Sequence, residues 1–254
     1  MRIALAFFGL PRRSDVTFPL IQRHLIAPLS ARGELRIFHH LWRQDWIFNP
    51  RSGEDQAQPE ANYAPFRTFE GSVENPPTQE SVLLRRLRAY GDAWQDGFHS
   101  LGNMLLQLQS LLAVTQLAHA AAPDVVVFAR PDLLYHEPVR QWHVDHVLLH
   151  PDAVLLPDWE SWGGCNDRFA IAGARAFRAY GGRLLLADHF CERTGQAMHA
   201  ETFLRYALAF AGVPVRTIAM RANRIRVDGR IQAEDFEGIL SPLASRARTG
   251  PPGP

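Results

Sequence analysis

The sequence contains no lysine. All 27 of its Lys+Arg residues are arginines, in a chain of 254 residues. Without lysine the protein cannot form a Schiff base with a carbonyl substrate, and it lacks the lysine of a phosphate-binding P-loop. A phosphate or carboxylate ligand would therefore be bound by planar guanidinium groups or by backbone amides.

Cysteine, net charge and long apolar runs are also scarce. Cys165 and Cys191 are the two cysteines, and their spacing fits neither a disulfide framework nor a zinc site, which is typical of a reduced protein. The formal net charge of +1 gives no general attraction to nucleic acid or to an anionic membrane. No stretch approaches the ~20 apolar residues that cross a bilayer. We therefore expect a cytoplasmic protein with no nucleic-acid partner and no integral membrane segment.

Apolar runs alternate with helical patterns along most of the chain. Residues 2–8 (RIALAFF) and 125–129 (VVVFA) are predicted strands, and stretches with apolar residues at helical spacing lie between them. This order predicts a single α/β domain over residues 1–244, with a mainly parallel sheet flanked by helices. Residues 49–80 are polar and rich in Pro, Gly and Asn, which predicts a long loop or flap. Residues 245–254 are predicted to be a disordered tail.

Charged residues follow two of the predicted strands. Arg130 and Asp132 end the run VVVFARPD, and Gly9 and Arg12 follow the first strand. Parallel sheets bind ligands beyond the carboxyl ends of their strands, so these residues are predicted to share one site. A carboxylate there suits Mg²⁺ or Mn²⁺, and a guanidinium can bind a diphosphate in bidentate fashion. The alternative is a local ion pair, or a turn in which Asp132 accepts backbone N–H groups.

The stretch PDWESWGGCNDRFAIAG, residues 157–173, combines aromatic, glycine and polar residues directly before a strand. Polar side chains beside an aromatic face are typical of a sugar-binding surface, and glycines let a ligand approach the backbone closely. The alternative is a capped turn with packed tryptophans. The candidates are Trp159, Trp162, Gly163, Gly164, Asn166, Asp167 and Arg168.

Two further stretches carry charges with two possible roles. Glu201 in HAETFLRYAL falls in the first turn of a predicted helix, where it is either a general base or an acid favoured by the helix dipole. Arg224 and Arg226 in RANRIRVDGR share one face of a predicted strand. They form either an anion clamp or a solvated face.

Together these motifs resemble the bacterial and algal glycosyltransferase-like proteins of the GT-A type. The resemblance rests on FFGLPR, IFHHLW, FARPDLLY, WGGCNDRFAIAG and HAETFL, and it covers most of residues 1–230. In that fold an Asp-x-Asp motif holds a divalent metal against the diphosphate of a nucleotide sugar. RPD takes its place here, so Asp132 matches the second acid as metal ligand and Arg130 replaces the first. The resemblance therefore implies either a Mg²⁺ or Mn²⁺ site or a metal-independent one.

The same resemblance implies a role for each candidate. The catalytic base would be Glu201 or Asp167, and the acceptor or sugar side would comprise Trp159, Trp162, Gly163 and Gly164. Donor binding would fall to Gly9, Arg12, Arg130, Asp132, Asn166, Arg168, Arg224 and Arg226. The implied activity is transfer of a sugar from a UDP or GDP type donor to a glycan or other hydroxyl acceptor, in surface polysaccharide or glycoconjugate synthesis. The alternative is an inactive nucleotide- or glycan-binding module of the same fold.

Overall fold

The computed structural model describes residues 1–237, so the predicted domain end at 244 and the tail 245–254 lie outside the described residues. The strands are β1 Arg2–Gly9, β2 Glu34–Trp42, β3 Trp46–Asn49, β4 Glu54–Ala57, β5 Glu70–Glu74, β6 Val125–Ala129, β7 Leu133–Tyr135, β8 Val154–Pro157, β9 Phe169–Gly173, β10 Val215–Ile218 and β11 Ala222–Arg224. The α-helices are α1 Ser14–Ile21, α2 Ala27–Ser30, α3 Val82–Arg88, α4 His99–Ala120, α5 Gln141–Leu149, α6 Phe177–Gly181, α7 Ala187–Thr194 and α8 Ala200–Phe210. Gln22–Ile26 joins α1 to α2 as a wider helical turn.

Seven strands form one central sheet in the order β10-β8-β9-β6-β1-β2-β5. β9 runs antiparallel to both of its neighbours, and the other adjacent pairs are parallel. Helices cover both faces of the sheet. The predicted fold class, an α/β domain with a mainly parallel sheet flanked by helices, is confirmed.

The continuous apolar run of β1 follows from burial on both faces. Ile3, Leu5 and Phe7 pack on the side of α1 and α5, and Ala4 and Phe8 pack on the side of α4. Successive side chains of a strand point to opposite faces, so a strand covered by helices on both sides needs apolar residues at every position.

The predicted loop over residues 49–80 is wrong for much of its length. β3 and β4 form an antiparallel hairpin, and β5 is the edge strand that pairs in parallel with β2. β5 has the sequence EGSVE, in which no residue is fully buried. A short, polar edge strand lacks the apolar alternation by which a strand is recognised from sequence.

Within residues 1–237, none of the helices combines the length and the apolar composition needed to span a membrane.

Candidate functional site

Several chain segments meet at one edge of the central sheet and line a cleft of about 570 Å³. β1 and β6 are parallel, so Gly9 and Arg130 lie at the same edge. β9 is antiparallel, and its first residue, Phe169, pairs with Ala129, the last residue of β6. Asp167, two residues before β9, is therefore brought to the same edge as Arg130. The direction of β9 thus joins two motifs that lie far apart in the sequence.

Three arginines and two buried carboxylates alternate along one wall of the cleft. Asp132 accepts two hydrogen bonds from Arg130, with Nε–Oδ1 at 2.9 Å and Nη2–Oδ2 at 2.7 Å, and a third from Arg12 Nη1 at 2.7 Å. Glu54 lies 3.2 Å from Arg12 Nε and 3.2 Å from Arg226 Nη1. We call these five residues the arginine row.

The arginine row presents cations to the cleft and keeps its carboxylates behind them. Arg12, Arg130 and Arg226 line the cleft, whereas Asp132 and Glu54 are buried and do not. Three guanidiniums against two carboxylates leave one formal positive charge. Each guanidinium is held by a carboxylate, so its position is fixed before any ligand arrives. Such a wall suits an anion with several oxygen atoms, such as a diphosphate.

Asp132 is ionised at every ordinary pH. Burial alone would raise the pKa of its carboxyl, but the guanidiniums of Arg130 and Arg12 hold it well below its usual value. The same carboxylate keeps the pKa of Arg130 above that of a free guanidinium, although burial opposes this. The pair is therefore a permanent ion pair, in agreement with the local ion-pair interpretation of Arg-Pro-Asp.

The contacts of Asp132 do not fit a divalent metal ligand. Its side chain is 2% exposed, and both of its oxygens accept hydrogen bonds from guanidinium groups. A cation bound there would have to displace Arg12 and Arg130, whose positive charges also repel it. Residues 1–237 hold no group of three or more His, Cys, Asp or Glu side chains placed to hold a metal ion. The metal role assigned to Asp132 thus has no geometric support.

Two carboxyl groups, Asp167 and Glu201, line the cleft beside the arginine row. Gln107 of α4 joins the two sets, because its Oε1 accepts from Arg130 Nη1 at 2.8 Å and its Nε2 donates to Asp167 Oδ2 at 3.0 Å. Burial raises the pKa of Glu201 to about 8, and the charge of Asp167 contributes to this rise. Glu201 is thus protonated at neutral pH.

A second set of ion pairs fixes Arg168 and Arg224, two further arginines predicted to bind the donor. Arg168 Nη2 lies 2.7 Å from Glu160 Oε2, and Arg224 donates to both oxygens of Glu234, at 2.8 and 3.1 Å. Arg168 and Arg224 line the cleft with Glu160. Ile225 on the opposite side is buried. Because Arg224 is bonded to Glu234 and lines the cleft, it is not part of a freely solvated face.

The two tryptophans of residues 157–168 have different environments. Trp159 is buried, donates from Nε1 to the Met220 carbonyl at 2.8 Å and lies under the Arg168 guanidinium. Asn166 is also buried, where it donates to the Trp159 carbonyl and accepts from the Arg168 N–H. Both residues fit the alternative of a packed, capped turn. Trp162 is 54% exposed and lines the cleft.

The two glycines of this loop have different roles, close packing at Gly164 and a left-handed backbone at Gly163. A Cβ at Gly164 would lie 2.0 Å from the Glu201 carbonyl oxygen, and Cys165 N donates to that oxygen at 3.0 Å. Gly164 therefore lets the loop lie against the first turn of α8 and so helps to place Glu201. Gly163 has a φ of 76° and no atom within 4 Å of a built Cβ. Neither glycine lines the cleft.

Several residues that line the cleft are not predicted by the sequence patterns. Gln107, Trp94 and His199 line the cleft, and so do Asn49 and Arg51 near the tip of the β3–β4 hairpin. Gln107 lies on α4, whose apolar spacing predicts a core helix, and Trp94 lies in an irregular loop. His199 stands two residues before Glu201, and this proximity was the one available signal.

No protein-family profile matches the sequence, and no curated protein matches it. Among solved structures, the apo form of mouse xyloside xylosyltransferase 1 is similar over 86% of this chain and 85% of that chain. The identity is 13% and the TM-score is 0.43. A likeness of this degree establishes neither a family nor an activity.

Proposed function

We propose that this protein is a glycosyltransferase that uses a nucleotide-diphosphate sugar. The observation that supports it is the joining of the arginine row to the carboxyl pair Asp167 and Glu201 through Gln107 in one cleft. The central sheet, with cleft-lining residues at its strand ends, is consistent with the GT-A resemblance of the motifs.

The two sets of groups match the two needs of glycosyl transfer. The reaction passes through an oxocarbenium-like state, in which the departing diphosphate gains negative charge. Guanidinium groups fixed in advance stabilise that charge without reorganising. On the acceptor side a base must take the proton of the attacking hydroxyl. Glu201 and Asp167 are the candidates, because Glu160, the third carboxyl group that lines the cleft, is paired with Arg168 at 2.7 Å.

Donor nucleotide, acceptor and location rest on the sequence resemblance. A UDP or GDP type donor, a glycan or other hydroxyl acceptor, and a cytoplasmic role in surface polysaccharide or glycoconjugate synthesis belong to the proposal. Mg²⁺ or Mn²⁺ is left out of it, because the contacts of Asp132 do not fit a metal ligand.

The second candidate function is a binding module without turnover. The arginine row would bind a diphosphate in either case, because its geometry does not depend on the acceptor side. The raised pKa of Glu201 leaves this residue protonated at neutral pH, which would weaken it as a base acting alone. This observation favours a module that binds the sugar nucleotide without transferring the sugar.

A thermal-shift panel of UDP-, GDP-, CMP- and dTDP-sugars tests the binding part of the proposal. A ligand that binds only the folded protein adds ~2.7 kcal/mol of stability at a hundred times its Kd. Arg12→Gln is expected to lose the shift. Arg36→Gln, on the exposed part of β2, is the matched control and is expected to keep it.

Turnover separates the two functions. The sugar that stabilises the protein is incubated with it, and release of the nucleoside diphosphate is measured with and without added glycan acceptors. A transferase releases it, and Glu201→Gln retains donor binding but loses release. A module binds the sugar and releases nothing. Absence of any shift in the whole panel would contradict both functions.

A further inference from the structure

His199 and Glu201 form a pair at the start of α8. His199 precedes the helix and Glu201 lies in its first turn, and both line the cleft. Nδ1 of His199 lies 3.2 Å from Oε2 of Glu201. Within residues 1–237 this buried nitrogen has no hydrogen-bond partner, and its contact with Glu201 is a close approach of the two atoms. The Glu201 carboxyl is therefore the polar group within ion-pair distance of this otherwise unsatisfied nitrogen.

The ring of His199 is held in place from its other side. It stacks on Trp94 with centroids 5.2 Å apart and an angle of 22° between the planes. The loop that carries Trp94 is fixed by Asp92, whose carboxylate accepts from the N–H groups of Trp94, Asp96 and Phe98 at 2.8–3.0 Å. An aromatic face also stabilises a cation stacked on it, so the site tolerates a protonated ring.

The charges around the pair set where its proton lies at rest. Burial raises the pKa of Glu201, Asp167 raises it further, and Arg168 and Arg224 oppose the rise. Burial lowers the pKa of His199; Asp167 opposes this fall, and Arg51 adds to it. At neutral pH the proton therefore lies on the carboxyl and the imidazole is neutral. Its Nδ1 is then free to accept a proton, with the other nitrogen, Nε2, protonated.

We propose that His199 is the terminal proton acceptor of the sugar transfer, and that Glu201 relays the proton to it from the acceptor hydroxyl. The geometry supports this order, because Oε2 faces His199 while the Glu201 side chain borders the cleft where a hydroxyl would lie. The proposal rests on the glycosyltransferase function proposed above and names the proton path within it.

The step conserves atoms and charge. The bond between the sugar C1 and the diphosphate oxygen breaks, and its electron pair leaves with the diphosphate. The acceptor oxygen bonds to C1 and gives its proton to Oε1 of Glu201, while the proton on Oε2 passes to Nδ1 of His199. Glu201 ends as it began, protonated and neutral. His199 ends as an imidazolium beside the Asp167 carboxylate and the Trp94 face.

Nitrogen NMR of the histidine rings tests the pair without any substrate. The His199 signals are identified as those missing from His199→Gln. In the wild type we expect neutral His199 with its proton on Nε2, and a change in the Nδ1 shift near pH 8 as Glu201 ionises. Glu201→Gln should remove that alkaline step. A ring protonated on Nδ1 at neutral pH, or an alkaline step that persists in Glu201→Gln, would overturn the proposal.

The pH dependence of turnover tests the role. If His199 is the terminal acceptor, turnover falls on the acid side with the protonation of His199, whose pKa lies below its usual value of about 6.5. His199→Phe and His199→Gln should both lower turnover about 10²-fold or more and move the acid limb to the alkaline pKa of Glu201. His189→Gln, whose ring contacts Tyr206 on α8, is the matched control and should leave the limb in place.

Each outcome has one interpretation. An acid limb near pH 8 in the wild type that is unchanged in both His199 variants would mean that Glu201 acts alone. A uniform loss at all pH values would mean a structural role, which the melting temperatures of the variants would confirm. Absence of turnover with every sugar contradicts the proposed function instead, and the NMR titration still decides whether the pair shares a proton.

Discussion

Two of the four Arg-x-Asp patterns in this chain form the same bidentate pair in opposite surroundings. Arg130 and Asp132 form a bidentate pair in which the carboxylate is almost fully buried. Arg13 and Asp15 form the same two bonds, Nε–Oδ1 at 3.0 Å and Nη2–Oδ2 at 2.7 Å, with the Asp15 side chain 60% exposed. The two pairs make the same hydrogen bonds and differ in burial, so comparing them measures the contribution of burial to the free energy of unfolding.

Asp132→Asn should therefore destabilise the protein far more than Asp15→Asn. Removing one partner of a buried ion pair costs about 3–5 kcal/mol, because Arg130 would lose its bidentate carboxylate and Arg12 would keep Glu54 alone. An exposed pair contributes about 0–1 kcal/mol. Chemical denaturation gives both values, and equal losses would contradict the burial argument.

The pH dependence of that difference has a defined sign. The pKa of Asp132 is lower in the folded protein than in the unfolded chain, so its stabilisation is present above the unfolded value of about 3.9 and is lost only as pH falls through the lower folded value. The gap between wild type and Asp132→Asn should thus stay constant between about pH 8 and about pH 5. A gap that shrinks in that range would show that the carboxyl titrates there.

Gly164→Ala should displace the first turn of α8, and Gly163→Ala should not. At Gly164 the new methyl group would meet backbone atoms of Glu201 at 2.0–2.1 Å, so the loop or the helix has to move. At Gly163 it meets nothing, and the cost is the left-handed backbone alone, about 1–2 kcal/mol. Melting temperature and turnover are the readouts: both should fall sharply for Gly164→Ala, and turnover should persist in Gly163→Ala.

The sequence predicts which residues lie near the cleft, but it does not predict which ion pairs and hydrogen bonds they form. Arg12, Arg130, Asp167 and Glu201 line one cleft, as their positions at strand ends and in a first turn indicated. That Asp132 turns away from the cleft depends on a contact with Arg12, which is 120 residues away in the chain. No local pattern contains such a contact.

At the scale of elements, α4 links the core to the cleft. Ser110 is fully buried; its Oγ accepts from the Gly9 N–H at 2.7 Å and donates to the His40 carbonyl at 2.5 Å. One side chain of α4 thus ties the carboxyl ends of β1 and β2, and Arg12 follows three residues after Gly9. The position of Arg12 in the arginine row depends in part on this link.

Ser110→Ala should weaken nucleotide binding as well as stability. It removes the hydrogen bonds that the Gly9 N–H and the His40 carbonyl make to the Ser110 hydroxyl, which contribute about 0.5–1.5 kcal/mol each, and it frees the loop that holds Arg12. Thr115→Val is the matched control, since the Thr115 hydroxyl bonds only the Leu111 carbonyl of its own helix. Both variants should melt earlier. Calorimetric titration with UDP or GDP should show lower affinity in Ser110→Ala alone, and equal affinity in both would mean that the link does not place Arg12.

Strand and helix patterns predicted the core elements better than the peripheral ones. β1, β6 and α8 are buried and periodic, and all three were predicted. β5 is polar, and it forms a strand because it pairs with β2. The antiparallel direction of β9 is set by its tertiary contacts. Strand direction follows from connection lengths and packing, which short apolar runs do not encode.

At the scale of the whole molecule, the net charge is small, but positively charged side chains are concentrated at the cleft. The formal net charge is +1, yet Arg12, Arg51, Arg130, Arg168, Arg224 and Arg226 all line one cleft. The carboxylates that balance the arginine row are buried behind it. Attraction of an anion is therefore a property of this cleft, whereas the molecule as a whole has little net field.

Nucleoside diphosphate binding should not require a divalent metal. The row already supplies fixed positive charge, and its one acid at the position of a metal motif is held by Arg130 and Arg12. Titration of UDP or GDP in the presence of EDTA should therefore give the same affinity, within about twofold, as titration with Mn²⁺ or Mg²⁺. Arg130→Lys should bind more weakly in both buffers, because lysine restores the charge but not the planar fork that Asp132 and Gln107 hold. Affinity that rises at least tenfold with Mn²⁺, and loses this gain in Asp132→Asn, would instead mean that the carboxylate leaves its guanidinium partners and binds the metal.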